Sequence, residues 1–234
     1  METPEYKIAL IVGAGAGLSA SLARLFSRQG LRVALAARQI EKLGALCAET
    51  GALAFACDAT VPDEVERLFG LVEREIGAPD VVVHNASSRA RGAFVDLVPA
   101  DVAQAIAISA FGGFLVAQQA VTRMLPNNHG AILFTGASAS VKGYAQSAPF
   151  AMGKFALRGL AQSLARELQP QNIHVGHIVI DGGIARAGDP RANERGPDGL
   201  LDPNAIAESY LSLHRQQRSA WAWEIELRPW IETF

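Results

Sequence analysis

Short apolar runs alternate with longer helical segments along most of this chain of 234 residues. Most of the runs are continuously apolar, which is typical of parallel strands that are covered on both faces. Seven of them predict strands, at 8–12, 32–37, 52–56, 81–84, 131–135, 175–180 and 223–227. Helices are predicted near 18–29, 40–49, 62–76, 99–125, 149–169 and 203–217. This order predicts a doubly wound α/β fold, a parallel sheet of about seven strands flanked by helices, as a single domain over residues 1–234.

Composition narrows the class of protein. Half of the residues (50%) are hydrophobic and the formal net charge is −2, which suits one globular domain and gives no electrostatic case for nucleic acid. No run of about 18 apolar residues is present, so we expect no membrane partner. The N-terminus is polar and acidic, unlike a secretory signal, and we expect a cytoplasmic protein. Cys47 and Cys57 are interpreted as reduced thiols, and no metal site is predicted.

Local signals mark the helix starts and one long loop. Thr60 before Pro62, and Asp202 before Pro203, are predicted to cap the helices that follow. The stretch 182–202 is rich in Gly, Pro, Asp and Arg, and a loop of this length is usually functional or disordered.

Three glycines, Gly13, Gly15 and Gly17, lie between the first predicted strand and the first predicted helix. The absence of side chains lets backbone N–H groups approach a diphosphate, and the helix N-terminus adds a positive dipole end. Ligands of such sheets bind at the carboxyl ends of the strands, where this turn lies. The alternative is a plain strand–helix turn without a ligand.

Phe150 and Lys154 are spaced i, i+4 and lie on one face of a predicted helix. Together with the Gly13-x-x-x-Gly17 turn, the pair resembles the short-chain dehydrogenase/reductase (SDR) superfamily. The resemblance extends from Ile8 to about Leu227 and implies a Rossmann fold. In that family a Tyr-x-x-x-Lys pair reduces a carbonyl or oxidises an alcohol with a nicotinamide coenzyme. Phe150 stands at the tyrosine position, and a phenyl ring cannot donate a proton.

The resemblance also implies roles for the other catalytic positions. Lys154 would hold the nicotinamide ribose, and Ser109 stands where the family has an asparagine. Ala137 stands where the family's serine most often falls, and Ser138 follows it by one residue. We hypothesise that Tyr144 or Ser138 faces the nicotinamide as a replacement proton donor. The alternative is that these hydroxyls bond backbone or water.

The coenzyme-binding positions follow from the same resemblance. Arg38 ends the second predicted strand with no acid before Glu41, which favours NADP(H) over NAD(H), although NAD(H) is possible and Arg38 could be a solvated cation. Asp58 would contact the adenine amino group or cap the next helix. Ser19 replaces the last glycine of G-x-x-x-G-x-G and could donate a hydrogen bond. The implied coenzyme residues are Gly13, Gly15, Gly17, Leu18, Ser19, Arg38, Asp58, Ala59, Asn85, Ala86, Lys154, Gly182 and Ile184.

These interpretations predict an SDR-type oxidoreductase that transfers hydride between NADP(H) and a small carbonyl or alcohol substrate, with altered acid–base chemistry. The segment 184–202 would form a variable substrate lid, whose arginines either meet an anionic substrate or are solvated. Assembly through the last strand and the two long helices, as in the family, predicts a homodimer or homotetramer. The rival is a catalytically impaired NADP(H)-binding protein that acts as a sensor or assembly partner.

Overall fold

Seven parallel strands form one sheet in the order β3-β2-β1-β4-β5-β6-β7 in the computed structural model, which describes residues 5–186 and 188–232. The strands are β1 Ile8–Val12, β2 Arg32–Ala37, β3 Leu53–Ala56, β4 Val81–His84, β5 Gly130–Thr135, β6 Ile173–Ile180 and β7 Glu224–Leu227. All seven predicted strands are confirmed within one or two residues, and the doubly wound fold is confirmed with them.

Helices connect the strands and cover both faces of the sheet. They are α1 Leu18–Arg28, α2 Gly44–Thr50, α3 Pro62–Ile76, α4 Pro99–Ile106, α5 Gly112–Met124, α6 Ala148–Leu168, α7 Pro190–Arg195 and α8 Pro203–His214. The short helix α7 was not predicted, and the segment predicted as one helix from residue 40 is a 3₁₀ turn, Ile40–Leu43, followed by α2. Ala187 and both ends of the predicted single domain lie outside the described residues.

Two hydrophobic clusters explain why the strands are apolar without alternation. In β1, Ala9 and Ile11 belong to a cluster with α1 and α8, in which Phe26 and Tyr210 are buried. The intervening Leu10 belongs to a cluster on the opposite face, with α3, α5 and α6. The central strands therefore need apolar side chains on both faces, whereas the edge strand β7 alternates Glu224 and Glu226 with Ile225 and Leu227.

The segment Pro99–Asn127 is helical throughout, and its middle part, Ala107–Phe111, has π-helical geometry. By length and composition alone it could cross a membrane, although the core helix of a soluble protein passes the same test. Here it contacts α3 and α6, so part of its apolar surface is covered by the domain. Our sequence criterion, a continuous apolar run, did not detect it.

One of the two predicted helix caps is wrong. Helix α3 begins at Pro62 with Val61 at the cap position, and no side chain bonds the cap. The Thr60 hydroxyl instead donates to Asp58 Oδ1 at 2.7 Å. Asp202 does cap α8, because its carboxylate accepts from Asn204 N at 2.9 Å.

Helix α6, which carries Phe150 and Lys154, is joined to the edge strand β7 by a bidentate ion pair. Arg158 Nε and Nη2 lie 2.6 and 2.7 Å from the two carboxylate oxygens of Glu224. The same carboxylate lies 2.9 Å from Nδ1 of the buried His177. Burial lowers the pKa of His177 to about 4, so its contact is a neutral hydrogen bond and Arg158 balances the charge of Glu224. This network sets the position of α6 against the sheet.

Candidate active-site cleft

Two adjoining clefts, of about 790 and 760 Å³, lie at the carboxyl ends of the strands. The first extends over β2 and β3 and is lined by Arg38 and Asp58, among others. The second extends over β5 and β6 and is lined by Phe150 and Lys154. Both include Gly13, so they form one groove across the point where the strand order reverses. This is the place where open parallel sheets bind ligands.

Gly13 allows the ends of β1 and β4 to approach each other closely. Its φ is +86°, and a Cβ atom there would lie 2.4 Å from the backbone nitrogen of Ala86. Gly13 N and Ala14 N both donate to Ala36 O, at 3.0 and 2.9 Å. Their N–H groups are therefore used within the sheet, and the open side of the turn is at Gly15 and Gly17, where an added Cβ would meet nothing within 4 Å.

Ser19 fastens this turn to the end of β4. Its hydroxyl donates to Gly13 O at 3.0 Å and accepts from Asn85 Nδ2 at 2.7 Å. The hydrogen bond predicted for Ser19 is thus formed inside the protein. Leu18 and Ser19 begin α1, and their N–H groups belong to the first turn, which has no intrahelical acceptor. The turn therefore offers backbone donors to an anion through its amides rather than through the Ser19 hydroxyl.

Asp58 lies in the first cleft as a carboxylate that is hydrogen-bonded on one side. Its Oδ1 accepts from Thr60 N at 2.9 Å, which is the largest cause of its lowered pKa, and the charge of Arg38 contributes further. Its own N–H donates to Glu64 Oε2 at 2.8 Å. The cap alternative for Asp58 is wrong, because α3 starts four residues later. Ala59 packs against Gly112, where an added Cβ would lie 2.9 Å from Ala59 O.

Lys154 is buried at the floor of the second cleft, with 2% of its surface exposed. Its Nζ donates to Thr135 O, at the end of β5, at 2.6 Å. Burial first, and the positive charge of Arg89 second, lower the pKa of Lys154 to about 7. The ammonium group can therefore release its proton near neutral pH.

Phe150 is 8% exposed and forms part of the wall one helical turn from Lys154. The Arg89 guanidinium carbon lies 4.4 Å from the centre of the phenyl ring, and Lys154 Nζ lies 5.9 Å from it. Sequence reasoning missed Arg89. The available signal was a pair of arginines, Arg89 and Arg91, that follows the carboxyl end of β4.

The candidate hydroxyl groups differ in their access to the cleft. Ser138 is half-buried in the wall, and Tyr144 is 48% exposed there. Ala137, at the wall beside Ser138, donates its N–H to Ser140 Oγ at 3.1 Å. Ser109 is fully buried in the π-helical segment, where it packs against α6. It lies close to Gly153 of that helix, because a Cβ atom added there would be 3.2 Å from Ser109 Oγ. Unlike the other candidates, Ser109 is not part of the described cleft wall.

The far wall is formed by the segment after β6. Gly182 and Ile184 line the second cleft, and an added Cβ on Gly182 would lie 2.5 Å from Pro229 Cδ. Asp181, directly after β6, is buried and pairs with Lys142 and Arg228, each at 2.9 Å. These ion pairs hold the start of the segment 184–202 against the body of the domain.

Comparison with known proteins identifies the family. The short chain dehydrogenase family model matches residues 7–187. The borneol dehydrogenase of Lavandula x intermedia is 30% identical over 173 residues, covering 73% of this chain and 67% of that protein. A short-chain dehydrogenase structure from Rhodopseudomonas palustris has a TM-score of 0.82 and 32% identity, covering 97% of this chain and 100% of that one. A metagenomic short-chain oxidoreductase in complex with NADP has a TM-score of 0.82 and 26% identity, covering 95% and 97%.

The chain therefore belongs to the short-chain dehydrogenase family, whose members are oxidoreductases with a Rossmann-like fold. The predicted resemblance is confirmed at the level of the family.

The buried ammonium of Lys154 predicts a pH-dependent stability. The pKa of Lys154 is about 7 in the folded chain and 10.5 ordinarily, so between these values the unfolded chain binds one more proton. The free energy of unfolding attributable to this group should therefore rise with pH over that window, by at most about 1.4 kcal/mol per pH unit. Urea denaturation of the wild type and Lys154→Met, repeated from pH 7 to 9, measures the difference.

Lys142, whose side chain is 47% exposed, provides the control. Its hydrogen bond to Asp181 raises the pKa of Lys142 from 10.5, so this lysine stays protonated from pH 7 to 9, and the difference between wild type and Lys142→Met should stay constant. A difference that is equally flat for Lys154→Met would contradict the lowered pKa of Lys154.

Proposed function

We propose that this protein is an oxidoreductase that transfers hydride between NADP(H) and a small carbonyl or alcohol substrate. The observation that carries the proposal is the single groove from the Gly13–Gly17 turn, through Asn85, to Lys154. The turn amides at the start of α1 suit a diphosphate, and Lys154 suits the ribose hydroxyls. A bound nicotinamide would supply the hydride, and Ile184 lies on the wall against which its ring would rest.

Coenzyme choice is assigned to Arg38. The end of β2 presents Ala37 and then Arg38 to the first cleft, without the carboxylate that would bind a free ribose 2′-hydroxyl. A guanidinium group suits a 2′-phosphate, because it can donate two parallel hydrogen bonds. The NADP complex of the metagenomic relative supports the same preference.

The acid–base chemistry is assigned to Lys154 in place of a tyrosine. The Phe150 ring holds no exchangeable proton, whereas the pKa of Lys154 is lowered to about 7. A group with a pKa near the working pH is suited to give a proton to an alkoxide as it forms. The Ser138 hydroxyl is placed in the same wall and would steady the substrate oxygen, with Tyr144 at the cleft mouth as the second hydroxyl.

We also propose a cytoplasmic homodimer or homotetramer, with neither nucleic acid nor membrane as a partner. Exposed apolar side chains on the two long helical segments support assembly: Phe111, Phe114, Met152 and Phe155 are each 41–50% exposed. Sedimentation velocity should show a dimer or larger species in the wild type, and monomer in Phe155→Glu. A monomeric wild type at micromolar concentration would rule this assembly out.

Coenzyme binding is the first test. In isothermal titration calorimetry, the wild type should bind NADPH at least tenfold more tightly than NADH. Arg38→Ala should lose about 10- to 100-fold of its NADPH affinity and keep its NADH affinity, because a charge-assisted bond contributes about 1.5–3 kcal/mol. Arg28→Ala, at the exposed end of α1, is the control and should change neither. Absence of heat with either coenzyme at millimolar concentration would refute the proposed function.

The rival function, coenzyme binding without turnover, is favoured by one observation: Phe150 at the tyrosine position. The variant Phe150→Tyr restores a phenol one helical turn from Lys154. It should raise kcat about 100-fold or more on a panel of carbonyl compounds, because a positioned acid increases the reaction rate by about 10²–10⁴. Phe94→Tyr, on an 80% exposed side chain outside the described cleft, is the control. If the wild type and Phe150→Tyr both bind NADPH tightly and neither oxidises it, the result would favour the rival function, coenzyme binding without turnover.

A further inference from the structure

We propose that the second cleft binds its carbonyl substrate through an anionic group, a carboxylate or a phosphate monoester, held by Arg89 and Arg91. The inference rests on the proposed function, because the anion would belong to the molecule that exchanges hydride. It names the substrate class that the sequence left undefined.

The second cleft is strongly cationic. Five arginines line it together with Lys154, and no aspartate or glutamate is among its described lining residues. The arginines are Arg89, Arg91, Arg186, Arg191 and Arg195. Clustered charges of one sign within a concave wall concentrate ligands of the opposite sign.

Two of these arginines are already neutralised by carboxylates near the lid. Arg191 Nη2 lies 2.5 Å from Asp189 Oδ2, and Arg195 Nη1 lies 2.9 Å from Glu232 Oε1. Arg89, Arg91 and Arg186 have no carboxylate within ion-pairing distance in the part of the chain that the structure describes. The uncompensated charge is therefore concentrated around Arg89.

Arg89 is an exposed side chain that lies within the electrostatic reach of the other arginines of this cleft. Partial burial, followed by the charges of Arg91, Arg186 and Arg191, lowers the pKa of the Arg89 guanidinium. The pKa of Lys154 is lowered by burial first and by the charge of Arg89 second. An anion bound between like charges reduces their mutual repulsion.

The ring of Phe150 contacts Arg89, an exposed side chain of the second cleft. The guanidinium carbon lies 4.4 Å from the ring centre, a distance typical of cation–π contact. Contact with the ring face leaves N–H groups at the edge of the guanidinium plane available for the two oxygens of a carboxylate or phosphate. The ring at the tyrosine position therefore serves as a platform for the anion-binding residue, one helical turn from Lys154.

The 2′-phosphate of the coenzyme is assigned to Arg38, which lines the first cleft and not the second. The diphosphate is assigned to the Gly13–Gly17 turn, which borders both clefts, whereas Arg89 and Arg91 line the second cleft alone. The anion is therefore titrated onto protein that is already saturated with NADP⁺, so that the coenzyme's own phosphates do not compete for the two arginines. Arg186 follows Ile184 on the wall assigned to the nicotinamide, so the test is built on the other two arginines.

The experiment is calorimetric titration of the wild type saturated with NADP⁺, at low ionic strength without phosphate. The probes are acetoacetate with its methyl ester, and dihydroxyacetone phosphate with dihydroxyacetone. The acids should bind at least tenfold more tightly than their neutral partners. The acid that binds more tightly identifies the anion as carboxylate or phosphate.

Three variants assign the effect to residues. Arg89→Met and Arg91→Met should each lower the affinity for the anionic probe at least tenfold and leave the affinity for NADP⁺ unchanged. Arg89→Lys, which keeps the charge and the fold but loses the bidentate edge, should fall between wild type and Arg89→Met. The matched control is Arg166→Met, which should change neither affinity; the Arg166 guanidinium donates to Gln162 O on the exposed face of α6.

The outcomes separate this inference from the proposed function. Equal binding of acid and ester, or an equal loss of anion and NADP⁺ affinity in Arg89→Met, overturns the anion site while coenzyme binding stands. Absence of NADP⁺ binding by the wild type refutes the proposed function itself. In that case acetoacetate and dihydroxyacetone phosphate are titrated onto the coenzyme-free protein. If the wild type binds them and Arg89→Met does not, the anion site stands, but its assignment to a redox substrate is overturned.

Discussion

The close approach of β1 and β4 at Gly13 is the contact on which the rest of the site depends. A side chain there would overlap the backbone of Ala86, and the positive φ of Gly13 would strain it. Because the two strand ends meet, the Ser19 hydroxyl can bridge Gly13 and Asn85. That bridge leaves the turn open on the other side, at Gly15 and Gly17, where the groove passes from the first cleft to the second.

A second constraint links the sheet to the chemistry. Lys154 is held by Thr135 O at the end of β5, and the bidentate pair of Arg158 with Glu224 holds the same helix against β7. Helix α6 is therefore attached to the sheet at two points, one turn apart. This attachment keeps the ammonium group buried, and burial is the main reason that the pKa of Lys154 is about 7. The lowered pKa of Lys154 thus depends on how α6 packs against the sheet.

The fold was predictable because its signals are local. Strands that are buried on both faces must be apolar throughout, and the Gly13-x-Gly15-x-Gly17 pattern shows a turn without any knowledge of its neighbours. The cap at Thr60 was predicted wrongly because its hydroxyl had a competing acceptor, Asp58, within the same loop. The burial of Ser109 was not predictable either, since it depends on π-helical geometry and on the absence of a side chain at Gly153.

The partners of Phe150 were the part of the site that sequence could not show. Arg89 lies 61 positions away in the chain, on a loop, and only the folded sheet places its guanidinium over the ring. The spacing of Phe150 and Lys154 therefore suggested only the loss of a proton donor at position 150. It could not show that Phe150 contacts Arg89. With Arg89 in place, Phe150 has a contact of its own, a cation–π contact with the guanidinium group.

That contact also distinguishes a phenyl ring from a phenol at position 150, because the two groups affect Arg89 differently. A tyrosine beside Lys154 and Arg89 would lie between two positive charges, which stabilise the phenolate and lower the pKa of the hydroxyl. Its oxygen would then compete with any external anion for Arg89, since both are acceptors for the same N–H groups. A phenyl ring offers the guanidinium a stacking face and no such acceptor. A phenyl ring therefore supplies no acid and places no competing acceptor beside the guanidinium edge. In the proposed function the proton then comes from Lys154, whose pKa is lowered by burial first and by Arg89 second.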